Sequence, residues 1–324
     1  MSNAKHLDKK DIDLTIAKLK LIGYREYVTP SMAFSGDMNT YLISPDNGSI
    51  FIFITTDTGI RTGVRFPHDK ILHIVGGGKL KSTFAMFRGF NVKAIDISML
   101  DTSRVTNMKY MFSDCSSEII GLDKLDTSRV TTMDSMFRQC TSPKIDISNF
   151  DTRNLDETRY MFYECRSNVI NIGNFNTSKV EDLSGMFNSC NTKTLNLSSF
   201  DTSYAQSMSE MFCSSKIDNL DLSRFSDKSM VGADYMFENC ETQVINLPGF
   251  TGEMLFFAKS MFKGCKANEI NLHNFRGNDM ISMKQMFAYC ETPKLDISNF
   301  KPNDKFDEAD LFYNSKIQNI IKNF

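Results

Sequence analysis

The side chains able to do chemistry are few, and their spacing works against catalysis. Gly76-Gly77-Gly78-Lys79 has the composition of a phosphate-binding loop. Such a loop needs a Gly five residues before the Gly-Lys pair and a Ser or Thr after the Lys, so that backbone N–H groups surround the phosphates and a hydroxyl reaches the metal. His73 and Leu80 stand at those two places, and the run reads as a turn. The four histidines, His6, His68, His73 and His273, are scattered, and none recurs with a carboxylate or a nucleophile. No triad or metal cluster emerges, so no catalytic residue, cofactor or metal is expected. An enzyme with its site in residues 1–68 is the catalytic alternative.

The eight cysteines point the same way. Seven lie four residues after a recurring Met, at Cys115, Cys140, Cys165, Cys190, Cys240, Cys265 and Cys290, while Cys213 comes two residues early. Their column exchanges with Phe90, Ser215 and Ser315, as a packing position would. No C-x-x-C pair or nearby His set supports zinc. A ladder of equivalent cysteines has no unique pairing, and buried free thiols are expected.

What must position any site is a repeat. Met-Phe recurs every 25 residues, nine times from Met86-Phe87 to Met286-Phe287, and a tenth copy reads Leu311-Phe312. A fixed period of this size marks a solenoid, in which each unit buries its apolar face only against its neighbours. Within one unit, Ile95-Asp96-Ile97 has apolar residues two apart, as in a short strand, and Ile120/Leu122, Ile145/Ile147 and later pairs repeat it. Leu100 follows as a further anchor, replaced by Phe from Phe150 to Phe300. Asp101-Thr102-Ser103 reads as a helix start, and Val105, Met108, Met111, Phe112 and Cys115 then share one face at helical spacing. The expected architecture is an α/β solenoid: a leucine-rich repeat stack of about ten strand-turn-helix units.

The string Leu125-Asp126-Thr127-Ser128-Arg129-Val130-Thr131-Thr132-Met133-Asp134-Ser135-Met136-Phe137-Arg138-Gln139-Cys140 resembles the BspA-like class of bacterial leucine-rich repeats. The recurring phrase is Asp-Thr-Ser-x-Val-x-x-Met-x-x-Met-Phe-x-x-Cys, and the likeness runs from about Ile71 to Phe324. The resemblance implies a horseshoe or rod used for protein binding, often in adhesion to host proteins at bacterial surfaces. The Asp-Thr start is lost late, where Ser226-Asp227, Thr251-Gly252, Arg276-Gly277 and Lys301-Pro302 occupy it.

Residues 1–68 do not repeat, and they read as a small α+β domain fused to a solenoid at 69–324. Asp11 caps a helix carrying Ile12, Ile16, Leu19 and Ile22, with Gly23 as its stop. Strands are expected over Thr40–Ser44, Ser49–Thr55 and Ile60–Phe66. The run Ile50 to Ile54 is apolar at every position, so both of its faces need cover. At the far end, Ile317, Ile320, Ile321 and Phe324 suggest a final strand closing the stack. Met1 to Ile22 lacks the apolar core of a secretory leader and carries Lys9, Lys10, Asp11 and Asp13, which favours the cytoplasm. Ser2-Asn3-Ala4 resembles the scar of a cleaved tag, so a secreted or surface protein with its leader trimmed is the alternative. No apolar run approaches the ~20 residues that span a bilayer. The net charge of −2 argues against a partner bound through nucleic-acid phosphates.

Two outward columns remain. Asp96, Gly121, Asp146, Asn171, Asn196, Asp221, Asn246, Asn271 and Asp296 form a ladder of short polar residues, read as bonding to neighbours and loop backbone, with a cation or basic partner as the alternative. The adjoining strand column has no aromatic anchor. One residue after the inward helical Val, Thr106, Thr131, Asp156, Glu181 and Gln206 give way to Val231, Phe256, Ile281 and Phe306. With Phe257 beside them, these four make an exposed apolar stripe for a protein partner or a second copy, unless the late repeats shift register and bury them. The function expected is a non-catalytic protein-recognition scaffold, bacterial or carried by a phage or mobile element to inhibit a host protein. A cell-surface adhesin is the alternative.

Overall fold

The structure, a computed structural model, describes residues 9–28, 39–57, 59–60, 64–277, 280–281, 283–301 and 308–322. Helix α1 (Lys9–Leu21) and strands β1 (Arg25–Glu26), β2 (Thr40–Ile43) and β3 (Ser49–Ile54) precede the repeats. Each coil then contributes one strand: β4 (Ile71–Gly76), β5 (Ala94–Leu100), β6 (Glu118–Ile120), β7 (Lys144–Asp146), β8 (Val169–Asn171), β9 (Asn191–Leu195), β10 (Lys216–Leu220), β11 (Val244–Asn246), β12 (Glu269–Asn271), β13 (Glu291–Asp296) and β14 (Lys316–Ile321). The strands form three sheets, β1–β6, β7–β10 and β11–β14, and within the last two neighbouring coils pair in parallel at one-repeat register, as in Ile145↔Ile170 and Ile270↔Leu295. The result is a β-solenoid of about ten turns.

The helix expected in each unit is absent from the described repeats, apart from a short α2 (Glu308–Leu311) in the last coil. Its place is taken by a run of turns. Tyr110 and Asp114 both have φ of 58°, the left-handed conformation that breaks a helix, and these two positions repeat along the array. Alternate N–H groups leave the coil: Tyr110, Phe112 and Asp114 donate to the carbonyls of Asp134, Met136 and Arg138 in the next. Between them, Met111, Ser113 and Cys115 donate to the carbonyls three residues back. Residues spaced by three therefore still face inward. Val105, Met108, Met111, Phe112 and Cys115 are all fully buried, although no helix carries them.

The interior is built as ladders. The repeat phenylalanines from Phe87 to Phe312 form one continuous pile, with centroids 5.3 Å apart between Phe87 and Phe112 and 5.6 Å between Phe112 and Phe137. Those two pairs are tilted by 16° and 7°, so the rings are offset-stacked. Each such pair adds about 0.5–1.5 kcal/mol beyond its area burial. Phe175, Phe200 and Phe225 make a second pile with 6.1 Å spacings. The cysteines are free thiols, and all but Cys213 are buried. Burial pushes Cys115 up to about 11 and Cys240 and Cys290 up to about 12.

The recurring Asp-Thr-Ser is a corner, not a helix start. Asp126 Oδ1 accepts from the Ser128 N–H two residues on, at 3.0 Å. Thr127 is buried; its hydroxyl donates to the Asp151 carbonyl at 3.1 Å and accepts the Asp151 N–H at 2.8 Å. The loss of Thr at Asp227 keeps this link, because its buried carboxylate accepts the N–H groups of Thr251 and Gly252 at 2.9 and 2.6 Å.

The N-terminal elements continue the stack. β3 pairs in parallel with β4 along Ser49–Ile54, and β2 adds antiparallel outside it. Ile50, Ile52 and Ile54 join the solenoid core, while Phe53 packs with Leu42, Val75 and Ile12 of α1 on the other face. The ring pile passes from Phe87 through Phe90 to Phe66 and Tyr41. Helix α1 starts two residues before Asp11, and Ile22 is exposed rather than on its packed face. The strand expected over Ile60–Phe66 does not form at residues 60 and 64–66; residues 61–63 lie outside the described set. In the third coil the chain slips by one: Ile119, not Ile120, pairs with Ile95 and faces inward, and Ile120 is 41% exposed. Gly121 permits this at φ 89°, where a Cβ would stand 2.6 Å from the Ser98 nitrogen. β14 pairs with β13 and forms the expected final strand; Phe324 lies outside the described residues.

Three outcomes follow from this packing. Phe162→Ala removes a ring stacked on both sides and should cost ~3–5 kcal/mol in urea unfolding; Met161→Asp, which buries a carboxylate without a partner, should cost several more. A melting curve like that of the parent would contradict the inward assignment. Removing residues 1–68 strips β3 from the edge of β4, and light scattering should show aggregation rather than a soluble monomer. An aromatic disulfide reagent should find at most one promptly reactive thiol, Cys213, in the native protein and eight after denaturation.

Candidate interaction surfaces

Three walls of the solenoid offer distinct chemistry. On the first, the outward column keeps its direction into the late repeats. Val231 N–H donates to the Gln206 carbonyl at 2.8 Å, Phe256 to Val231 at 3.1 Å and Ile281 to Phe256 at 2.9 Å, so the three stand on successive rungs. Leu255 and Ala258 on either side are fully buried, so register is not lost with Asp-Thr. Val231 and Phe256 are half-buried, while Phe257 is 42% and Ile281 74% exposed. Met254, also exposed, extends the patch. Phe306 lies outside the described residues.

The second wall, formed by the Met-Phe turns, escaped the sequence reading. Tyr110, Tyr160 and Tyr235 precede the repeat Met with φ between 55° and 60°, and Tyr289 has φ 56° three residues after it. Bulky residues avoid this region, where Gly or Asn would cost less. Tyr160 and Tyr163 meet edge-on at 5.8 Å, and the Arg138 guanidinium lies 4.7 Å from the Tyr163 centroid. Beside them Asp134 sits between Lys109 at 3.4 Å and Arg159 at 3.5 Å. The hydrogen bond that Lys109 donates to Glu157, with Asp134 nearby, raises the Lys109 pKa. A count of tyrosines by column carries the signal, since six of the ten fall on this wall, but in three columns.

The third is the strand wall. Its Asp and Asn ladder is engaged by local backbone: Asp96, Asp221, Asn271 and Asp296 each accept the N–H two residues on. His73 Nδ1 meets Asp96 Oδ2 at 3.0 Å and its ring stacks on Phe51 at 4.7 Å, a pairing the scattered sequence positions did not reveal. Burial opposes ionisation of Asp96, but hydrogen bonds from Ser98 and His73 outweigh it and lower the pKa. The Ser98 hydroxyl donates to Asp96 rather than to the imidazole, so among the described residues no hydroxyl is placed for His73 to activate. Gly76-Gly77-Gly78-Lys79 is a turn closed by the Leu80 N–H on the Gly77 carbonyl at 2.8 Å. A Cβ on Gly76 would stand 2.6 Å from the Ile54 carbonyl oxygen, so its glycine serves the β3–β4 approach. Among the described residues no His, Cys, Asp and Glu side chains gather as a metal site, and no helix is long and apolar enough to cross a membrane.

No curated protein and no solved structure matches the chain. A family model described as "Mycoplasma protein of unknown function, DUF285" matches residues 79–170, 165–275 and 255–324, which together take in the whole of the array after its first strand. The chain belongs to this DUF285 repeat family.

Proposed function

We propose that the chain is a non-catalytic protein-recognition scaffold whose units are a variant of the BspA-like repeat, acting in the bacterial cytoplasm or brought in by a phage or mobile element to bind and inhibit a host protein. The observation that carries this reading is the apolar stripe of Val231, Phe256, Phe257 and Ile281, laid rung on rung outside a core that is already closed. Contiguous exposed apolar surface marks an interface, and aromatic anchors carry much of an interface's energy. The solenoid supplies a rigid backing, so docking there orders little chain.

The test is a Phe257→Ser/Ile281→Ser double variant. Both side chains are substantially exposed, so stability should change by no more than about 0.5 kcal/mol each. Capture of a bacterial protein by the immobilised chain, or self-association in light scattering, should fall about tenfold or more. A large loss of melting temperature would make the residues core. Unchanged stability with unchanged association would remove the stripe from recognition.

A further inference from the structure

Over the last five coils the strand wall sinks into a groove of about 520 Å³. One side is Lys216, Glu241, Lys266, Glu291 and Lys316, alternating in sign rung by rung. Lys216–Glu241 pair at 3.1 Å, Lys266–Glu241 at 3.8 Å and Lys316–Glu291 at 2.8 Å. The opposite side carries Asp218, Gln243, Asn268 and Gln318. Asn268 Nδ2 donates to Gln243 Oε1 at 2.7 Å, and each amide keeps a further donor and acceptor. Thr242, Ala267 and Thr292 line the groove between them. The Thr242 hydroxyl is shut off from solvent and has no hydrogen-bond partner. A second cavity of about 390 Å³, with Asn196, Asn219 and Asp221, meets this groove at Gln243.

We infer that the groove binds a neutral, linear oligosaccharide lying along the solenoid axis. Sugar hydroxyls both donate and accept, and the amides, carboxylates and ammonium groups offer both functions repeatedly along the groove. Three lysines and three carboxylates line it, so no net charge draws a charged polymer. No aromatic side chain lines it, so it lacks the anchors of a protein hot spot. Period decides between the remaining polymers. Successive strands lie ~4.8 Å apart, whereas an extended peptide advances ~3.3 Å per residue and presents same-face side chains every ~6.6 Å. A peptide along the axis drifts out of register within two rungs. Rings in β-1,4 linkage advance by about one rung each and turn over at every ring, so like edges recur every second ring, as like charges recur every second rung. This groove lies on a different wall from the apolar stripe and does not depend on the protein-recognition reading.

The test is isothermal titration calorimetry of the full chain with cellohexaose, chitohexaose and β-1,4-mannohexaose, with maltohexaose as an axially linked control. At least one linear hexasaccharide should bind with a sub-millimolar Kd, and maltohexaose should not. Gln243→Ala/Asn268→Ala, at two exposed positions, should weaken that binding about tenfold or more with melting unchanged. Phe257→Ser/Ile281→Ser should leave it intact. Absence of binding by all three sugars would overturn the inference. So would binding that survives the double variant, or equal binding of maltohexaose. A decapeptide of Gly, Ser and Gln that binds instead, and is lost in the same variant, would assign the groove to peptides and overturn it too.

Discussion

From Phe87 to Phe262 the N–H of each repeat phenylalanine donates to the carbonyl of the methionine one coil ahead, at 2.9 Å from Phe112 to Met136 and 2.7 Å from Phe237 to Met261, and Phe287 donates to Leu311. This bond is made only if the chain reverses on both sides of Met-Phe, which is what the paired left-handed residues accomplish. Once it is in place, the rings of successive coils must overlie one another, and the flanking methionines and thiols have nowhere to go but inward. The two sides of the coil are then unlike in character. The strand side uses ordinary parallel pairing, while the Met-Phe side is a ladder of turns in which every second N–H leaves the coil.

That division explains what the sequence displays and what it hides. Period alone identifies the stack, because a 25-residue step kept through ten copies fixes which residues meet. The inward set was legible for the same reason, and so was the demand for cover on both faces of Ile50 to Ile54. The expected helix does not form for a definite reason: spacings of three residues arise equally from successive turns closed onto the carbonyl three back. Composition gave no warning, since the left-handed corners are held by Tyr, Glu, Asp, Ser and Gln rather than by a run of glycines. The slip at Ile119 was invisible because Ile120 is equally apolar. The tyrosine wall was hidden because its members occupy neighbouring columns, not one.

The corners show how variation is absorbed. Thr127 and its equivalents bridge coils with one hydroxyl that both donates and accepts. At Asp227 a carboxylate does the work by accepting two N–H groups. The bonding changes from hydroxyl to carboxylate, yet Leu255 and Ala258 remain buried and the outward column keeps its aim. Identity at a corner is therefore less constrained than its ability to meet the next coil's backbone. The walls between corners are constrained still less, which is how one face carries tyrosines, another a charge ladder and a third an apolar stripe.

Because a coil's bonds reach only to the coils beside it, nothing in the middle of the array refers to how many coils there are. A recombination event that copies or drops 25 residues in frame leaves every Phe-to-Met bond, every stacked ring and every corner with an equivalent partner. Such an event would lengthen or shorten the solenoid without redesigning either end. Inheritance can thus act on this molecule by whole coils as well as by single residues, and each added coil brings a fresh rung of surface for selection to edit.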